Sequence, residues 1–125
     1  MHAQTFQPLG TPGVPWGGVE KAQWRARQRK QRSHADDVLT AIDALRTSWE
    51  VVPYGELDCG DDGRFPLLAL RSLSWDAARP VALVTGGVHG YETSGVHGAL
   101  QFAQQHAQAF AGQLNLLVVP CVSPW

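Results

Sequence analysis

At 125 residues the chain fits one ordinary domain, and 44% hydrophobic against 17% charged residues marks a folded globular protein rather than a disordered one. A net charge of -1 leaves no overall field to recruit nucleic acid or an anionic membrane. No apolar run approaches the ~20 residues of a membrane helix, and Met1 to Gly18 lacks the basic start and apolar run of a secretory leader. Two widely spaced cysteines, Cys59 and Cys121, make no disulfide framework, which points to a reduced, cytoplasmic setting.

The chain opens on an arm, residues 1–18, whose prolines and glycines forbid a regular helix or central strand. Phe6 and Trp16 are its candidate anchors. From Val19 to Arg32 good helix formers dominate, with Lys21, Arg25, Arg27, Arg29, Lys30 and Arg32 clustered in twelve positions. Trp24 is the single aromatic in this basic run, with no interleaving that suggests base stacking, so the run reads as a solvated helix face rather than a polyanion site. Ser33 is placed as an N-cap with Asp36 three residues on, close to a capping box, and Asp37 adds negative charge to the first turn. Val38, Ile42, Leu45 and Trp49 then follow at helical spacing, one apolar face of an amphipathic helix ending near Ser48. The helices together occupy 19–49.

A hairpin comes next. Glu50 to Leu57 and Phe65 to Leu73 are strand candidates around the turn cluster Asp58-Cys59-Gly60-Asp61-Asp62-Gly63. Pro53 and Pro66 place these strands at an edge or give them irregular ends. Val81-Ala82-Leu83-Val84-Thr85 is a continuous apolar run, the pattern of a strand buried on both faces. Thr93 or Ser94 is expected to cap a helix carrying Val96, Leu100, Ala103, Ala107 and Phe110, which Gly112 stops. Leu114 to Val119 is a second buried strand. Strand, helix and strand within about forty residues form a βαβ unit with parallel pairing. The fold class is therefore α/β, a mixed sheet with a βαβ unit and N-terminal helices, the sheet domain occupying 50–125.

In open α/β sheets, sites form in the loops that leave the carboxyl ends of the strands. Gly86-Gly87-Val88-His89-Gly90-Tyr91-Glu92 lies there. It offers an imidazole and a carboxylate three residues apart, and a tight turn can bring both onto one ion. Catalytic zinc takes three protein ligands and keeps a position for water, His₂Glu being one such set. The glycines around His89 allow a sharp turn, but no Lys-Ser/Thr pair follows them, so this is no phosphate loop. On the pair alone, a strand-to-helix turn with an incidental surface His and a Glu matched to the helix dipole accounts for the residues as well. His97 and His106 fall about 180° apart on the helix and cannot chelate together. Cys121, at the end of the neighbouring strand, is within reach of a metal there but fits the commoner role of a small buried residue. His2 and His34 have no ligand-like spacing.

The segment Val84-Thr85-Gly86-Gly87-Val88-His89-Gly90-Tyr91-Glu92-Thr93-Ser94-Gly95 resembles the first zinc-binding motif of the zinc carboxypeptidases related to carboxypeptidase A, and of the related aspartoacylase and succinylglutamate desuccinylase group. Gly63 to Arg71 is similar to the hairpin strand that precedes the motif there, and Val122-Ser123-Pro124-Trp125 to the turn that closes the next strand. The resemblance spans about Glu50 to Trp125. It implies that His89 and Glu92 are zinc ligands in a metallocarboxypeptidase-type hydrolase acting on peptide C-termini, with an N-acyl amino acid deacylase as the alternative. The chain would be the N-terminal part of such a domain.

The resemblance also implies that the third ligand, a His, the general base, a Glu, and the groups that hold the substrate all fall past Trp125. By the same reasoning strand 114–119 lacks a neighbour in this chain and offers an unpaired edge for self-association. The reading from another class is a truncated, non-catalytic product. Neither nucleic acid nor membrane is expected as a partner.

Overall fold

The computed structural model describes residues 8–125, so Phe6 and His2 lie outside the described residues. The described chain divides into two compact units, meeting between Gln31 and Arg32.

In the first unit, helix α1 spans Gly18–Arg27. Its start is fixed by Glu20, whose carboxylate accepts from the Gly17 backbone N–H at 2.8 Å. It buries no residue and gives way at Gln28 to extended backbone, short of the Arg32 that propensity suggested. The reason is physical. A helix without a packed face depends on propensity alone, and Arg25 and Arg29 would stand as like charges four residues apart.

The second unit is an α/β domain with a four-stranded mixed sheet. A π-helical turn, Ala35–Leu39, leads into α2, Thr40–Asp43. Ser33 does start this segment, but with divided partners. Its hydroxyl accepts from Asp36 N at 3.2 Å, while the carboxylate that returns to Ser33 N belongs to Asp37, at 3.1 Å. The predicted apolar face is the buried one: Val38, Ile42, Leu45 and Trp49 all join the core.

Strands β1, Trp49–Asp58, and β2, Arg64–Ser72, form the antiparallel hairpin. Pro53 is tolerated because β1 is an edge strand, and the register slips beside it, between Pro53 and Gly55. Pro66 lies where β2 has already run past β4, which pairs with it only at Leu70 and Arg71. Strand β3, Val81–Thr85, and β4, Asn115–Val119, are parallel in register, joined by α3, Ser94–Gln101. This is the expected βαβ unit. After Gln101 the helix widens through a π-helical turn, Phe102–His106, then tightens into a 3₁₀ turn, Ala107–Phe110, and is broken at Gly112, φ 80°.

The strand order β1-β2-β4-β3 overturns two expectations. Strand β4 has neighbours on both sides and is the centre of the sheet, not its open edge. Strand β3 is the edge and is not buried on both faces: Ala82 and Val84 pack on the core, while Val81 and Leu83 are 57% and 61% exposed. An apolar run says that a strand is sheet material; pairing decides whether it is covered. Asn115, fully buried at the start of β4, anchors the loop before β3 by donating from Nδ2 to the carbonyls of Asp76 and Arg79. Both cysteines are free, Cys59 exposed and Cys121 buried. No helix among the described residues is long and apolar enough to cross a membrane.

Candidate metal-binding turn

The turns that leave β3 and β4 are stitched together by continuation of the parallel ladder. Gly86 N–H donates to Val119 O at 2.9 Å, Val122 N–H to Gly86 O at 3.0 Å, and Ser123 N–H to Gly87 O at 2.9 Å. Two loops therefore lie backbone to backbone at the carboxyl end of the sheet, where α/β proteins build their sites.

That proximity explains the glycines. A Cβ on Gly86 would sit 2.9 Å from both the Ala99 Cβ and Pro120 O, and would strike Gly95 O. Gly87 adopts φ 63°, and a Cβ there would lie 2.6 Å from Val96 Cγ2. A Cβ on Gly90 would run into the Ser123 carbonyl oxygen. Only glycine fits these three positions, because neighbouring backbone, with the Ala99 and Val96 side chains, fills the space a Cβ would take.

Held this way, residues 88–91 form a turn with His89 in it, closed by Glu92 N–H donating to His89 O at 2.9 Å. His89 and Glu92 are both solvent-exposed, three residues apart across this bond. Thr93 is buried and begins α3 through His97 N–H to Thr93 O, 2.9 Å. Its hydroxyl does not cap the helix as expected. It accepts instead from Arg32 Nη1 at 2.5 Å.

Arg32 belongs to a group no local motif announces. The same Nη1 donates to Tyr91 O at 3.2 Å, and the guanidinium lies 5.9 Å from the Tyr91 ring centre. Trp125 Nε1 donates to Arg32 O at 3.3 Å. The Trp125 ring meets Tyr91 and His34 edge to face, with centroids at 6.0 and 5.5 Å, and His34 meets Phe65 at 6.0 Å. His34, without ligand-like spacing in the sequence, is thus a buried member of an aromatic cluster.

Cys121 packs beneath the turn, its Sγ 3.2 Å from where a Gly87 Cβ would lie. Burial pushes its thiol pKa up, partly offset by a backbone hydrogen bond at Ser123. That favours a neutral thiol over the thiolate a metal binds. His97 and His106 are exposed on the helix. Among the described residues, no three His, Cys, Asp or Glu side chains come together to hold a metal ion. His89 and Glu92 are a chemically suitable pair for zinc, borderline nitrogen with hard oxygen, but a pair only.

No protein-family model matches the chain. No curated protein matches it either. Among solved structures, it is similar to the crystal structure of a candidate metallopeptidase from Shewanella amazonensis SB2B, at 32% identity and a TM-score of 0.54. The match covers 69% of this chain and 30% of that protein, so the chain spans less than a third of its length.

Proposed function

We propose that this chain contributes two ligands, His89 and Glu92, to the zinc centre of a metallopeptidase-type hydrolase acting at peptide C-termini. The observation that carries this reading is the H-G-x-E turn itself. It follows β3 at the carboxyl end of the sheet, and close contacts at three glycines fix its backbone against the start of α3 and the segment 120–125. The similarity to a candidate metallopeptidase supports the hydrolase class. A zinc ion held in part by His89 and Glu92 would supply Lewis-acid polarisation of a scissile carbonyl and a more acidic water.

The chain's own residues divide the remaining work. Gly86, Gly87 and Gly90 set the backbone, and His89 and Glu92 present their donors from it. With Glu92 assigned to the metal, a general base must come from elsewhere, and most other carboxylates are engaged in structure. Asp37 holds Ser33 N, Asp43 pairs with Arg46, Glu50 with Arg71, Glu56 and Asp58 with Arg64, and Asp76 with Arg79. We take the base, the third ligand and the clamp for the substrate carboxylate to lie past Trp125, as the resemblance implies.

The test is a panel of C-terminal peptide and N-acyl amino acid substrates, assayed with the 125-residue chain plus zinc. Without base and clamp, proton transfer and positioning are both lost, each worth orders of magnitude. No turnover is expected. Zinc-dependent turnover abolished by His89→Ala would show that the missing groups lie within this chain or a second copy of it. Preference within the panel then separates peptidase from deacylase.

A further inference from the structure

We propose that Arg32, sixty residues upstream in the sequence, is a positioning residue that holds the His89–Glu92 turn in its ligand-presenting shape. The inference rests on the reading of His89 and Glu92 as metal ligands and adds to it the element that fixes them.

The geometry makes Arg32 a three-way clamp. One guanidinium nitrogen donates both to the Tyr91 carbonyl, inside the turn, and to the Thr93 hydroxyl, just after it. These two acceptors flank Glu92. The Arg32 backbone carbonyl meanwhile accepts from Trp125, whose ring abuts Tyr91 and lies 3.1 Å from where a Gly90 Cβ would sit. Arg32 thus joins both loops at the carboxyl end of the sheet.

The Thr93 hydroxyl is the informative detail. At a helix N-terminus it would ordinarily accept from the backbone of the first turn. Here it takes a charged donor instead, and charge-assisted hydrogen bonds are about twice as strong as neutral ones. The neighbouring turn is short, residues 88–91. Its internal bond is Glu92 N–H to His89 O, and both ligand side chains are exposed. Flexibility here would cost ligand geometry, and groups that orient metal ligands affect affinity by roughly ten- to a hundredfold.

The experiment compares wild type with Arg32→Ala and Arg32→Lys by amide hydrogen exchange and by zinc titration followed at the His89 ring nitrogens in NMR. In Arg32→Ala, exchange of the Glu92 and Thr93 amides should rise by about tenfold, as loss of a charged hydrogen bond allows, while β4 amides stay unchanged. Zinc affinity should fall by a similar factor. The Lys variant retains the charge and a single donor nitrogen but not the planar fork, and should recover part of both losses.

Unchanged exchange at 92–93 in Arg32→Ala would overturn the proposal, as would faster exchange with unaltered zinc affinity. If zinc does not perturb His89 even in the wild type, the metal reading itself fails. The clamp is then upheld or overturned by the exchange result alone.

Discussion

Strands β3 and β4 lie side by side, are both short and apolar, and are parallel residue for residue from Val81–Asn115 to Thr85–Val119. Their burial nonetheless differs sharply. On the core face Leu116 and Val118 are buried while their partners Ala82 and Val84 are half-buried, and on the other face Leu83 is 61% exposed beside a half-buried Leu117. Strand β4 is flanked by β2 and β3, with α3 and the α2 segment contributing to the core around it. Strand β3 has one sheet neighbour and one packed face. The lesson is that composition reports membership of a sheet while topology sets the energy of each position. The two functional turns inherit this contrast: the turn after β3 hangs from an edge strand and is steadied by the turn after the central one.

Substitutions should expose the difference, and the largest effect belongs to the centre. Val118→Asp places an unpaired carboxylate in a fully buried position and should cost about 4 kcal/mol or more, enough to abolish cooperative unfolding. Leu83→Asp, one strand over, should shift stability by less than about 1 kcal/mol. Thermal denaturation of both reads the comparison, and equal destabilisation would break it.

Next is the contact between turns. Gly90→Ala drives a Cβ into the Ser123 carbonyl and should cost about 3 kcal/mol. Gly98→Ala, on α3 with open space around its Cβ position, should stabilise by about 0.5–1 kcal/mol. The two alanines thus separate a glycine required by close approach from one that is not.

A smaller effect concerns association. Leu83→Lys puts charge on the uncovered edge strand, a device that suppresses edge-to-edge pairing. It should reduce any concentration-dependent self-association seen by sedimentation, whereas Lys at exposed Val19 on α1 should not. The smallest effect is a rate. A thiol reagent should label exposed Cys59 promptly and Cys121 only on opening of the sheet, since burial both shields the thiol and raises its pKa.

Much of this architecture is legible in the sequence wherever a local pattern governs. The four-residue face Val38, Ile42, Leu45, Trp49, the hairpin with its prolines, and the βαβ unit all follow from periodicity and turn chemistry. The strand order does not, because nothing in residues 114–119 states that β2 will pair on one side. The helix starts where its sequence says, with Thr93 at the cap position, but the partner of the Thr93 hydroxyl is not legible there, because it lies sixty-one positions away at Arg32. In the candidate site, the His-Gly-x-Glu spacing is visible from sequence. The glycine requirement at 86, 87 and 90 is visible only as flexibility, when the real constraint is lack of space. Arg32, His34 and Trp125 carry no local signal at all, since their relation to the turn exists only once the two loops meet.

The central claim, that His89 and Glu92 form a metal-binding pair, is tested most directly by zinc titration against a chromophoric chelator. The wild-type chain is set beside His89→Ala, Glu92→Ala and the control His97→Ala. The account predicts weak binding, because a catalytic zinc site normally has three protein ligands. Each of the first two substitutions should lower the affinity by about tenfold or more, and His97→Ala should leave it unchanged. Affinity indifferent to both His89→Ala and Glu92→Ala, or lost on His97→Ala instead, would contradict it.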